Sequence, residues 1–174
     1  AAALLVLILS LWGARDRLAD LKVPSFALVT RPDLRAAAWI QQNTPAQARF
    51  LVNSFFAYGD SSIVGSDGGW WLPLLAHRDS TLPPLLYASE SGPTPGYREW
   101  VNALSRAIQQ KGLADPDVMA MLKERGVTHV YLGQQQGTVG YNGPMTLQAA
   151  QLAANPRFKT VYHEDRVWVF EVVW

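Results

Sequence analysis

The residues with the strongest claim on chemistry are gathered in one run, Gly65-Ser66-Asp67-Gly68-Gly69-Trp70-Trp71, with His77 and Arg78 just beyond it. Glycines permit positive φ and let a ligand approach the backbone closely. Tryptophans can stack on the apolar C–H face of a sugar ring, and a carboxylate such as Asp67 can accept hydrogen bonds from its hydroxyls. A binding platform read this way takes in Ser66, Asp67, Gly68, Gly69, Trp70 and Trp71. Arg78 would add a guanidinium for a phosphate or carboxylate, and Tyr58 and Tyr97 further aromatic surface. The alternative is a tight turn in which Asp67 caps a short helix starting near Trp70 while the tryptophans fill core. In that case Trp71→Ala is expected to cost about 3–5 kcal/mol, and Arg78 is a surface arginine pairing with Asp79 or Glu90.

Other chemistries have less behind them. Ser66, Asp67 and His77 are the residue types of a nucleophilic triad, but Ser66 is followed by Asp67 and does not sit in a Gly-x-Ser-x-Gly elbow. No catalytic residue is assigned. His77, His129 and His163 have no partner at a metal-ligand spacing. Asp60, Asp67, Asp79 and Glu90 share one loop region without the dense Asp/Asn pattern of a calcium loop, so no metal is assigned either. Asp67 with Glu90 is the acid pair that loop offers for acid–base work. The glycines of 65–69 match neither the dinucleotide nor the P-loop fingerprint, and no cofactor is expected.

Composition narrows the classes further. The 174 residues carry 15 Lys+Arg against 14 Asp+Glu, a net charge of +1, which gives no field for holding a phosphate backbone; nucleic acid is not an expected partner. Charged residues at 17% and hydrophobic residues at 49% describe a chain that folds. The absence of cysteine removes disulfides, thiolate metal sites and cysteine nucleophiles.

The elements that must position these residues follow from periodicity and punctuation. Residues 4–21 read as one helix, apolar first and amphipathic later, followed by a connector over 22–31 that holds Pro24. Pro32-Asp33 opens a helix to about Gln42, with Asp33 where the helix dipole favours an acid. Residues 49–55 form a short buried strand. The stretch 56–96, rich in glycine, proline and aromatics, reads as an ordered but irregular loop, with a short helix or turn at 71–77 and an edge strand at 82–87. Residues 97–111 are an amphipathic helix ended by Gly112, and Asp115-Pro116 starts another to Arg125. Strand 127–132 follows, then a flexible loop over 133–144, a helix at 145–154, and strands 158–163 and 166–173 joined by a tight turn at Glu164-Asp165. The expected fold is a single α/β domain: a mixed central sheet of about four or five strands flanked by helices, ending in an antiparallel hairpin.

The first twelve residues, AAALLVLILSLW, carry no charge and give way to Arg15, Asp16 and Arg17. They are too few for a complete membrane span and lack the flanks of a signal peptide. They read as the tail of a membrane helix, with Trp12 and the arginines at its exit from the bilayer; a buried helix of a water-soluble protein is the alternative. The expected organisation is therefore the end of a membrane or juxtamembrane helix over 1–22 and a soluble domain over 23–174.

Several strings together resemble the C-terminal extracytoplasmic domain of bacterial multi-pass membrane proteins similar to polyprenyl-phosphate-sugar-dependent (GT-C-like) glycosyltransferases. They are Asp33-Leu34-Arg35-Ala36-Ala37-Ala38-Trp39-Ile40, Asn43-Thr44-Pro45, Arg49-Phe50-Leu51-Val52-Asn53-Ser54, and Gly65 through Ala76 with Arg78. Leu122-x-x-x-Gly126-Val127-x-x-Val130-Tyr131 and Phe158-x-x-Val161-Tyr162 complete the set, which spans most of 33–173. The resemblance implies a non-catalytic domain held outside the membrane, serving acceptor recognition, lipid-carrier contact or assembly. The membrane and a lipid-linked sugar or glycan acceptor would be its partners. Arg15 and Arg17 alone would favour the cytoplasmic side by the positive-inside rule; the resemblance favours the outside. The competing functions are a carbohydrate- or ligand-binding module built on the aromatic loop, which needs exposed tryptophans, and a free-standing hydrolase, which needs Ser66, Asp67 and His77 to converge.

Overall fold

The computed structural model describes residues 2–20 and 26–174. Helix α1, Ala2–Asp20, carries the apolar run. The expected boundary at 22/23 and Pro24 lie outside the described residues. No described helix is long and apolar enough to cross a membrane.

The body is built on a five-stranded sheet. Strands β1 (Arg49–Val52), β4 (Asp79–Ser80) and β5 (His129–Leu132) are parallel, with β1 between the other two. Strand β7 (Val167–Val172) runs antiparallel beside β5 and pairs outward with β6 (Phe158–Glu164). A separate two-stranded hairpin joins β2 (Ser54–Ala57) to β3 (Ser62–Gly65). The mixed α/β fold with its terminal hairpin is the one the sequence implies.

Strand alternation sorts the core onto two faces. Phe50, Val52, Tyr131, Val167 and Val169 pack with Ala36, Ala37 and Ile40 of α2 (Arg31–Asn43). Leu51, Val130, Leu132 and Phe170 pack with Leu104 and Ile108 of α4 (Tyr97–Lys111) and with Val118 and Leu122 of α5 (Pro116–Glu124). Successive side chains of a strand point to opposite faces, so a sheet that is apolar on both needs helices on both. Asp115 caps α5 by accepting from the N–H groups of Asp117 and Val118. The short helix α3 (Leu72–Leu75) follows a 3-10 turn over Gly68–Trp71.

Five local expectations change. The stretch from 56 onward is not irregular throughout, because the β2–β3 hairpin occupies its start. The strand expected at 49–55 breaks at Asn53, whose side chain is drawn out of the ladder to bond Asp67 and the Leu147 N–H. The edge strand is Asp79–Ser80, not 82–87: Pro83 and Pro84 offer no N–H to a ladder, and Leu85–Ala88 turns as a 3-10 helix. Helix α6 covers only Ala149–Ala154, because Thr146 and Leu147 bond instead to Ser54 and Asn53. The last hairpin turns at Asp165-Arg166, one residue later than expected. Both have positive φ, 47° and 69°, the geometry of a type I′ turn.

Candidate functional site

The carboxyl ends of parallel strands are where open α/β sheets usually receive ligands. Here that end, beyond β1 and β5, is occupied by the chain's own carboxylates. Asp33 enters from the first turn of α2 and is 1% exposed; Asp67 enters from the turn after β3 and is fully buried. One oxygen of Asp33 takes the Thr30 N–H at 2.8 Å and the Thr30 hydroxyl at 2.5 Å. Its other oxygen takes the Tyr131 hydroxyl at 2.7 Å and the Gln134 N–H at 3.0 Å. Asp67 accepts from Gly69 N–H at 3.0 Å, Asn53 Nδ2 at 3.1 Å and Gly133 N–H at 3.1 Å. The two side chains thus join four segments: the start of α2, the exit of β1, the turn at 66–69 and the exit of β5.

The glycines of the run serve this junction. A Cβ on Gly68 would stand 2.8 Å from Asp33 Cγ, and one on Gly133 would stand 2.9 Å from an Asp33 oxygen and from the Gly68 nitrogen. The close approach that glycine permits is therefore between segments of the chain, where a ligand was the other possibility.

Burial pushes the Asp67 carboxyl up to about 6, with the negative charge of Asp33 adding to it, while the three N–H donors pull the other way without cancelling it. Burial, and then the Asp33 charge, hold the Tyr131 phenol protonated far above its ordinary range. Neither carboxylate has an ion-pair partner among the described residues.

The nine residues considered for binding do not meet at one place. Ser66, Asp67, Gly68 and Gly69 are buried in the junction, and Asp67 turns both oxygens inward. Arg78 is 8% exposed and pairs with neither Asp79 nor Glu90. Its Nη2 donates to the carbonyls of Gln41 and Thr44, both at 2.8 Å, and its Nε to the Thr44 hydroxyl at 3.1 Å, so it closes the C-terminal end of α2. Tyr58 stands exposed at the β2–β3 turn with φ 52°. Tyr97 stacks on Trp100 at 5.9 Å between ring centres. No hydrogen bond among the described residues joins Ser66, Asp67 and His77, and His77 is exposed. Among the described residues no cluster of three or more His, Asp and Glu could hold a metal ion.

Trp70 and Trp71 go elsewhere. Trp70 is half-buried and its indole N–H donates to the Pro83 carbonyl at 3.3 Å; Trp71 is 44% exposed. Together with Leu28, Leu74, Leu82 and Leu85 they line an apolar groove of about 400 Å³. The reading of Asp67 as the cap of a short helix near Trp70 fits the geometry, since it accepts from Gly69 at the head of the 3-10 turn. The reading of Trp71 as core does not.

Sequence reasoning missed Asp33, Asn53, Tyr131, Gly133 and Gln134 as members of the junction. Thr30 three residues before Asp33 is a capping signal that was there to be read; nothing in the sequence announces that Asp33 also reaches Tyr131 and Gln134 across about a hundred residues. Compared with protein-family models, with curated proteins and with solved structures, the chain matches none of them.

Proposed function

We propose that this chain is the non-catalytic extracytoplasmic α/β domain of a bacterial membrane protein of the polyprenyl-phosphate-sugar-dependent glycosyltransferase type, acting in acceptor or lipid-carrier recognition or in assembly. The observation that carries the reading is α1. Its residues Ala2 to Trp12 are exposed and uncharged, although they include six leucine, isoleucine and valine side chains in succession from Leu4 to Leu9. Water offers such a surface no partner, whereas a bilayer does. The uncharged stretch 2–14 rises about 20 Å at 1.5 Å per residue, about two-thirds of a hydrocarbon core. The junction supports the non-catalytic part, because its two buried carboxylates spend their acceptor capacity on the chain itself. The family assignment rests on the resemblance of residues 33–173.

Flotation with phospholipid vesicles tests the anchor. The full chain is expected to float, and a chain carrying Leu5→Asp with Leu9→Asp to stay behind, since each acid near a helix centre costs about 3 kcal/mol of insertion. Equal flotation of the two contradicts the anchor. Vesicles with and without a polyprenyl phosphate test the carrier part, and equal retention on both contradicts it.

The exposure of Trp71 favours a second reading, a carbohydrate-binding module working through that ring. A methyl pyranoside that changes tryptophan fluorescence in the full chain but not in Trp71→Ala supports it; no change in the full chain contradicts it.

A further inference from the structure

We propose that the Trp70–Trp71 groove is a membrane seat: the face by which the α/β body rests on the hydrocarbon–headgroup boundary of the bilayer that holds α1. The inference rests on the membrane reading of α1 and adds how the body meets that membrane.

Among the described residues the groove has no charged side chain: Leu28, Trp70, Trp71, Leu74, Leu82 and Leu85 are its principal walls. Leu74 is 64% exposed and Leu86, just beyond the rim, is 59% exposed. A contiguous apolar face of this kind on a folded body marks a surface that another apolar phase covers.

The chain itself indicates which phase. Leu28 lines the groove and stands eight residues after Asp20, the end of α1. Eight residues span at most about 28 Å fully extended, so the groove lies within that reach of the helix end. The bilayer exit at Trp12 is eight helical residues before Asp20, about 12 Å further back, so the groove lies within about 40 Å of a bilayer that takes up α1 and is tethered to it. The polar details suit a headgroup boundary. Trp70 turns its one N–H inward to Pro83, which leaves only ring surface toward the groove. The Trp71 indole N–H has no partner among the described residues, and an interfacial tryptophan keeps its ring in hydrocarbon and its N–H among headgroups. Arg15, Arg17 and Arg31 are exposed on either side of the connection, where anionic headgroups would meet them.

The chain has no cysteine, so a single one can be labelled cleanly. Leu74→Cys and Tyr58→Cys are made in the full chain and each is labelled with an environment-sensitive fluorophore. Tyr58 is as exposed as Leu74 but sits on the β2–β3 turn. On vesicles of mixed neutral and anionic phospholipid, the label at 74 is expected to shift to the blue and to be quenched severalfold more by lipids nitroxide-labelled high on the acyl chain than the label at 58. If the chain floats while the label at 74 stays as wet and unquenched as that at 58, the seat is wrong and the anchor stands. If the chain does not float, the anchor fails and the seat fails with it. Loss of quenching at 74 on adding Trp71→Glu, with flotation kept, supports the seat. Undiminished quenching in that variant overturns the role given to Trp71.

Discussion

Two regions built from one hexapeptide behave in opposite ways. Ser66, Asp67, Gly68 and Gly69 turn into the protein and are closed over; Trp70, half-buried against the core, and Trp71, exposed, come next in the chain and form the wall of an apolar groove. The first half resembles a ligand cradle in composition, yet its donors and acceptors are consumed by Asn53, Gly133, Val139 and the run itself. The second half resembles core, yet Trp71 is 44% exposed. The difference teaches that residue type sets what a segment can bind, while the neighbouring strands decide whether the partner is the chain or something outside it. A buried carboxylate needs several donors, and the ends of β1 and β5 supply them at the one point where the turn passes.

The comparison breaks most severely at Asp33. Asp33→Ala leaves the buried Tyr131 hydroxyl and the half-buried Gln134 N–H without an acceptor and uncaps α2. We expect a loss of about 4 kcal/mol in urea unfolding. A loss below about 1 kcal/mol would mean the junction is not what joins the four segments.

Asp67 gives a pH signature of the next size. The folded state keeps its proton up to about 6, while the unfolded chain releases it near 3.8. Between those values the folded state binds more protons, so stability falls as pH rises through the window, by about 3 kcal/mol in all. Asp67→Asn should flatten that slope between pH 4 and 6. A slope unchanged in the variant would assign it to another group.

Gly68→Ala places a methyl 2.8 Å from Asp33 Cγ. The expected cost is about 2 kcal/mol, from overpacking. A neutral result would show that the turn has room, and so that a ligand could enter it.

The smallest effect belongs to the groove. Trp71→Ala should change unfolding stability in water by no more than about 0.5 kcal/mol, as at other exposed sites. A loss in the 3–5 kcal/mol range would return the ring to the core and remove the contrast.

Much of the fold is legible because its signals are local. Asp115-Pro116 starts α5, Gly112 ends α4 with φ 80°, and alternation over 129–132 and 167–172 writes two-faced strands. What escapes reading is set by distance along the chain. Asp33 shows its local role at the head of α2, but its bonds to Tyr131 and Gln134 cross 98 and 101 residues. Arg78 looks like a surface arginine beside Asp79; its partners are carbonyls, two of them next to it at Ala76 and His77 and two 34 and 37 residues earlier, and a carbonyl leaves no mark in a sequence. The β2–β3 hairpin escapes because its strands are four residues each and Gly59 and Gly65 read as loop. Trp71 escapes because a large aromatic after a cap is usually buried, and nothing in the sequence marks this one as exposed.

Amide and indole hydrogen exchange, followed by NMR on one sample in water, tests the contrast between the two halves of the run most directly. The Gly69 and Gly133 amides donate to buried Asp67, and they should exchange only through global unfolding, as slowly as the amides of β1 and β5. The Trp71 indole N–H should exchange at the rate of an unprotected tryptophan. Fast exchange at Gly69 or Gly133, or strong protection of the Trp71 indole, would contradict the account.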